Sequence, residues 1–420
     1  VMPAWLQLKY AHANGLLSDD IFAVANILKV MSLHRVSDIY GPLPVLHFGE
    51  TENPYNSQEE CYMHFFETLD SAIAVLKDVV ENNPDAKPLE EVDALYHGDY
   101  SKWLKLANSV KLRLAMRICY VKPDLAKQYA MEAVRDGVME TADDSALFQS
   151  WGSITVINPL EKIWNGYSDT RMGASMDSYL NGYNDPRLPV YFQPVTDGDN
   201  KGEYRGVANG MPNPQQEDYK AMSSPNVQEK STDSPLRWMM ASEVAFLRAE
   251  GAMRGWTAEM GGTAEEFYNK GIELSFLENG LSADAAARYA ADETSKPTDF
   301  TDVSAANTKY NISALGKIAI KWNSGASEEE QLERIITQKW IAMFPNGTEA
   351  WSEFRRTGYP RLFPVRYNYP SSGVDTNKQI RRMVFPQSEY SNNGAAVQEA
   401  VKLLGGPDNG GTKLWWDKKN

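Results

Sequence analysis

Residues 328–362 constrain the fold more than any other stretch. They read EEEQLERIITQKWIAMFPNGTEAWSEFRRTGYPRL. Leu332, Ile335, Ile336, Trp340, Met343 and Phe344 recur at helical spacing behind Glu328, Glu329 and Glu330, acids that suit the positive end of a helix. Pro345, Asn346 and Gly347 interrupt the pattern. A second short helix then carries Trp351 and Phe354 on one face until Gly358 and Pro360 stop it. The result is a helical hairpin with a large aromatic load, around which the rest of the chain has to be organised. The aromatics read as the core of the helix pair, with Arg355 and Arg356 paired to nearby carboxylates or helix ends.

The flanking sequence supplies further helices. In 18–34, Ile21, Val24, Ala25, Ile27, Leu28 and Met31 share a face behind Ser18, Asp19 and Asp20, and Gly41, Pro42 and Pro44 turn the chain afterwards. Ser57 and Glu60 form a capping box before Tyr62, Phe65, Phe66, Leu69, Ile73 and Leu76, and Asn82, Asn83 and Pro84 close that helix. In 100–120, Trp103, Leu106, Val110 and Leu114 alternate with Lys105, Lys111, Arg113 and Arg117, which read as a solvated or paired face. Helices follow over 122–137, 238–256 and 267–277. Small residues at Ala107, Ala115, Ala126, Ala130 and Ala133 point to tetratricopeptide-like stacking, although the repeats diverge too far to fix a period. The fold class expected is all-α: a helix-pair scaffold with long aromatic-rich loops and little β structure. The expected organisation is one domain over 1–420, with scaffold mainly at 18–140 and 234–360 and a loop-rich, ligand-facing insert over about 141–233.

That insert shifts towards Gly, Pro, Asn, Asp and Ser and carries many aromatics. Long irregular segments inside a compact protein are usually functional. Trp151, Trp164, Tyr167 and Tyr204 are therefore the first candidates for ligand contact, joined by His47 and Tyr55 from the polar, Pro-containing run 47–55. Aromatic rings suit stacking on sugars or peptides, and the competing reading for each is burial in the core.

Composition excludes other classes. Lys plus Arg number 42 against 56 Asp plus Glu, a net charge of -14, which disfavours binding to a phosphate backbone. Cys61 and Cys119 stand far apart and signal neither a zinc site nor a disulfide framework, and the five histidines lack ligand spacing. The stretch Asp197, Gly198, Asp199, Asn200, Lys201, Gly202 imitates the start of a calcium loop, but Lys201 occupies a ligand position and Ala208 stands where the bidentate Glu belongs. It reads as a hairpin turn. No metal or cofactor is signalled, while structural calcium among other surface carboxylates stays open. Phosphate-loop, dinucleotide and nucleophile-elbow motifs are missing. Glu243 and Glu250, seven apart on one helix face, raise an acid–base hypothesis, against which stands their pairing with arginines such as Arg248 or Arg254. Catalytic residues are accordingly expected to be none.

The segment ITQKWIAMFPNGTEAWSEFRRTGYPRL resembles the late signature of the SusD/RagB family of outer-membrane nutrient-binding lipoproteins. KWLKLANSVKLRLAMRI, SEVAFLRAEGAMRGW, the loop from Asp38 to Pro44, the Asp185, Pro186, Arg187, Leu188 run, the Arg381, Arg382, Pro386, Glu389 pattern and the ending Lys413 to Asp417 resemble further family segments, in order along nearly the whole chain. The resemblance implies a non-catalytic protein at the bacterial cell surface that captures oligosaccharide, or less readily peptide. It implies a SusC-like TonB-dependent outer-membrane transporter as partner, with this chain as its lid. It also implies a signal peptide and a lipidated N-terminal cysteine upstream of Val1, the anchor being the only tie to the membrane. The alternatives are an all-helical glycoside hydrolase using a carboxylate pair and a helical-repeat protein-interaction scaffold.

Overall fold

The computed structural model describes residues 1–211, 216–226 and 234–419. Its principal helices are α1 (Met2–Ala13), α2 (Asp19–Tyr40), α3 (Gln58–Asn82), α4 (Tyr100–Arg117), α5 (Pro123–Arg135), α6 (Ala174–Gly182), α7 (Ala241–Met253), α8 (Ala264–Leu277), α9 (Ala283–Ala290), α10 (Glu328–Ala342), α11 (Gly347–Thr357) and α12 (Gln387–Leu404). Strands β1 (Ala146–Phe148) and β2 (Leu236–Met239) form one antiparallel ribbon, with Leu147 opposite Arg237 and Phe148 opposite Leu236. The chain is thus all-α in class, with minor β structure.

Local chemistry fixes the helix starts. Capping boxes at Ser57 with Glu60, Thr263 with Glu266 and Ser327 with Glu330 satisfy the first free N–H groups of α3, α8 and α10. Asp99 caps α4 through the N–H groups of Ser101 and Lys102, and Pro123 opens α5.

Packing then follows chain order. α1 to α5 lie each against the next, α7 packs on α8 and α8 on α9, and both α7 and α8 pack on α10. α4 meets α7, and α11 returns to α2, so the last scaffold helix touches one of the first. Phe65, Phe66, Leu69, Leu106, Val110, Leu114 and Val244 belong to one buried apolar cluster, and Tyr179, Phe246, Tyr268, Ile272, Phe276, Ile335 and Ile336 to a second. Each such side chain contributes roughly 1.5–3 kcal/mol on burial. Close approach of α7 and α8 depends on Gly271, where an added Cβ would lie 2.7 Å from the Phe246 ring.

Several boundaries differ from the sequence expectation, and two of the differences have a visible cause. α2 continues to Tyr40 instead of ending near residue 34, because Asp38 is held inside the protein by Tyr62 and Trp416, whose O–H and N–H donate to its Oδ1 at 2.5 and 2.8 Å. Gly41, at φ +94°, ends it. Trp238 lies on β2 and not on the following helix; its ring stacks on Phe148 at 4.6 Å, so pairing across the ribbon overrides the helical pattern.

Where α2, α4, α7, α10 and α11 converge, the interior is ionic. Arg113 of α4 grips Glu243 of α7 through two bonds of 2.7 Å. Arg117 binds both Glu349 and Glu353 of α11 and lies 3.4 Å from Asp38. Arg356 bridges Glu250, at 2.6 and 2.7 Å, to Glu353, at 2.6 and 3.0 Å, and Lys339 lies 3.1 Å from Glu353. Arg355 donates to the carbonyls of Asp38 and Arg381 at 2.6 and 2.8 Å, and its guanidinium lies over the Trp351 ring at 3.6 Å. Burial tends to raise the carboxyls, but Arg356 and Arg254 hold Glu250 at about 2, and Arg117 and Arg113 hold Glu349 at about 2.

Candidate functional site

Beside this core, the turn after α10 supports a cleft of about 240 Å³. Trp340 comes from the last turn of α10 and Phe344 from the turn itself. Gly173, Ser175 and Met176 come from the start of α6, Phe192 from the chain beyond it, and Phe363 and Gln379 from the segment after α11. Trp164 closes one side. It sits on a wide helical turn, Lys162–Gly166, in which the Tyr167 N–H reaches the Lys162 carbonyl at 3.0 Å. Trp164 lies nearly parallel to Phe344 at 5.8 Å, and Phe344 leans on Tyr191 and Phe192 at 4.7 and 5.1 Å. The floor is therefore a supported aromatic stack.

Polar groups rim the cleft. Arg171 donates to the carbonyls of Lys220, Ser168 and Thr170 and so ties down its own loop. The Phe363 N–H donates to Ser175 Oγ at 3.0 Å, which leaves the hydroxyl proton available, and Gln379 donates to the Phe363 carbonyl at 3.1 Å, which leaves its amide oxygen available. The exposed Asn209 amide has no hydrogen-bond partner among the described residues. Gly210, at φ +75°, brings this loop against residues 365–367, and an added Cβ there would meet Val365 at 2.5 Å. Tyr367 and Tyr369 stand exposed beyond it, edge to face at 5.6 Å.

The structure distributes the sequence candidates unevenly. Trp164 lines the cleft, and Tyr167 follows it on the same turn, 61% exposed, with Lys162 over its ring at 5.8 Å. Tyr204 is half-buried against the second apolar cluster, with its carbonyl accepting from Asn181 at 2.8 Å. Trp151 is partly exposed, but its ring lies over His97 at 3.5 Å and its indole N–H donates to the Glu90 carbonyl at 2.5 Å. His47 faces Glu50 at 3.0 Å, and the Tyr55 hydroxyl donates to Glu389 at 2.9 Å with its ring edge-on to Phe385. Trp151, His47 and Tyr55 thus have neighbours other than the cleft. Sequence reasoning placed Trp340 and Phe344 in the core and did not single out Phe363, Tyr367, Tyr369 or Asn209. The available signal was Trp340 and Phe344 standing at the end of their helix, just before Pro345.

Glu243 and Glu250 lie in the ionic interior. Glu250 carries both Arg356 and Arg254, the latter at 2.7 Å, and at about 2 it holds no proton to donate near neutrality. Arg248 does not partner either acid; it reaches Glu140 at 2.8 Å and the Met260 carbonyl. Among the described residues, no three His, Cys, Asp or Glu side chains converge as a metal site requires, and no helix is long and apolar enough to cross a membrane.

A family model described as Susd and RagB outer membrane lipoprotein matches residues 1–417. The chain belongs to the SusD/RagB family. Solved structures of SusD homologues agree closely with it. A chitin-binding SusD homologue from Flavobacterium johnsoniae shares 41% identity at a TM-score of 0.91, covering 98% of this chain and 84% of that one. A SusD-like protein from Bacteroides thetaiotaomicron shares 40% identity at 0.91, covering 100% and 85%. A SusD homologue from Bacteroides vulgatus shares 36% at 0.90, covering 96% and 80%. Comparison with curated proteins finds no match. The segments by which the sequence resembles SusD/RagB proteins are largely those that meet in the ionic interior: Asp38, Arg113, Arg117, Glu243, Glu250, Glu349, Glu353, Arg356 and, nearby, Arg381 with Asp417 at 2.6 Å.

Proposed function

We propose that this SusD/RagB chain is a non-catalytic protein of the outer-membrane surface that captures an oligosaccharide and passes it to a SusC-like TonB-dependent transporter. The observation that carries the reading is the cleft of Trp164, Trp340 and Phe344: stacked rings for a floor and uncommitted Asn209, Ser175 and Gln379 groups at the rim. A sugar ring offers an apolar C–H face to the floor and hydroxyls to the rim, and binding needs no activated nucleophile. The chitin-binding relative makes N-acetylated oligosaccharides the first ligands to try. Trp164 is the contact proposed in this cleft and Tyr167, exposed on the same turn, a contact beside it, with Tyr204, Trp151, His47 and Tyr55 as outlying candidates; no cofactor is invoked.

Calorimetric titration with chitin oligosaccharides and a panel of other soluble glycans, with a peptide digest alongside, tests this reading. Heat with a glycan class, weakened about tenfold in Trp164→Ala, supports it; binding to peptides alone overturns the sugar assignment. Release of reducing sugar that depends on Glu250 would overturn the non-catalytic role.

A further inference from the structure

The continuation of the same turn lines a second cleft. Pro345, Asn346, Gly347 and Thr348 face Arg35, Arg237 and Trp238 across about 310 Å³, and a contiguous recess of about 220 Å³ shares Arg35 and Trp238 and ends at Arg113. The segment that carries Trp164 also contributes Asn158, Pro159 and Leu160 here. The two clefts share no lining residue, yet both draw on the turn after α10 and on the segment 158–164.

Their chemistry differs. Arg113 at the inner end is engaged by Glu243. Arg35 donates to Asn346 Oδ1 at 2.5 Å, and Arg237 donates to Asn279 Oδ1 at 3.0 Å and to the Glu278 carbonyl at 3.1 Å. Among the described residues neither guanidinium has a carboxylate within ion-pair distance, in a chain with 56 acids to 42 bases. Burial, then Arg113, lowers the proton affinity of Arg35, opposed by Glu349, Glu243 and Asp38, none of which is close enough to pair with it. A guanidinium fork matches a carboxylate in geometry and charge. The first turn of α11 opens at the same place, and its dipole favours negative charge there. Trp238, backed by Phe148, with Pro159, Pro235 and Pro345, supplies an apolar wall.

We propose that this cleft is a second saccharide subsite, selective for a sugar that carries a carboxylate, with Arg35 and Arg237 as the anion's partners and Trp238 as the ring's platform. The saccharide part rests on the oligosaccharide-capture reading; the carboxylate part rests on the arginines.

Titration calorimetry on the full chain, comparing a galacturonate oligosaccharide with its neutral galactose counterpart and a short peptide bearing a free or amidated C-terminus, tests it. The uronate oligosaccharide should bind more weakly as salt rises, and at least tenfold more weakly in Arg237→Gln and Arg35→Gln. Gly347→Trp should weaken it equally while keeping every charge, because an added Cβ at Gly347 meets nothing within 4 Å and the indole would fill the cleft. Trp164→Ala should leave it within twofold. Absence of uronate binding, uronate binding indifferent to all three cleft substitutions, or binding of the free-carboxylate peptide alone would each overturn the proposal. If uronates fail while a neutral glycan binds and is weakened in Trp164→Ala, oligosaccharide capture survives this failure; if uronates bind at the arginines and no neutral glycan binds, the aromatic cleft is the part that falls.

Discussion

The ionic interior and the aromatic cleft are neighbours built from overlapping elements, since α10 and α11 contribute to both sides of their turn. They differ in what is left over. In the interior nearly every charged group meets an opposite one: Arg113 with Glu243, Arg117 with Glu349 and Glu353, Arg356 with Glu250 and Glu353. In the cleft the aromatic floor is packed from beneath, while the Asn209 amide, the Ser175 hydroxyl proton and the Gln379 amide oxygen keep hydrogen-bonding capacity. Paired carboxylates and stacked tryptophans are both familiar from carbohydrate-active sites. Here the difference between holding the fold and meeting a ligand lies in unsatisfied capacity, not in residue type.

The sharpest way to break that division is Arg117→Met. It takes the close cation from Glu349, leaves Glu353 to Arg356 and Lys339, and should cost about 3 kcal/mol, read as a lower urea midpoint, with glycan affinity of the folded fraction unchanged. A change in affinity without a change in stability would contradict it.

Acid comes next. Burial and Arg113 push His34 down to about 3, and burial and Lys29 push His64 down to about 4. The unfolded chain binds these protons first, near pH 6.5, so stability should fall below about pH 6.5 by up to about 1.4 kcal/mol per pH unit per histidine. Glu250 and Glu349, held at about 2, are depressed carboxyls; their contribution is complete above about 4.5 and is lost as pH falls towards 2. Asp38, raised by burial, works in the opposite sense. Urea midpoints from pH 7.5 to 4.5 should slope downward with acid, and His34→Gln should flatten part of that slope.

On the cleft side the expected effects are smaller and fall on affinity. Trp164→Ala should weaken glycan binding about tenfold, about 1.4 kcal/mol, by calorimetry. Smallest of all, Tyr55→Phe removes one hydrogen bond to Glu389 and should lower stability by about 1 kcal/mol without changing affinity. A large loss of affinity in Tyr55→Phe would move the site towards α12.

The scaffold was legible in the sequence because its helices carry both periodicity and caps: Ser57 with Glu60, Pro123, and the Pro345 to Gly347 break all fall where the structure has element ends. The extension of α2 through Asp38 was not, since it depends on Tyr62, Arg117 and Trp416, which are distant in sequence. The pairing of Glu243 and Glu250 with arginines was foreseen in kind, but not with Arg113 and Arg356, because only the stacked helices bring those side chains together. The cleft was half legible. Trp164 stood out by composition, whereas Trp340 and Phe344 carry the same helical spacing whether they face inward or line a surface, and periodicity cannot separate a core face from the edge of a cavity.

The contact of Arg117 with Glu349 and Glu353, and of Asp38 with Trp416, joins residues from opposite ends of the chain. During synthesis Arg117 emerges more than two hundred residues before Glu349 and Glu353, and Arg113 emerges 130 residues before Glu243. Until α11 is made, Asp38 is the one acid of this cluster available to Arg117, so a chain truncated before α11 is expected to bury that cation short of its partners, read as a lower urea midpoint.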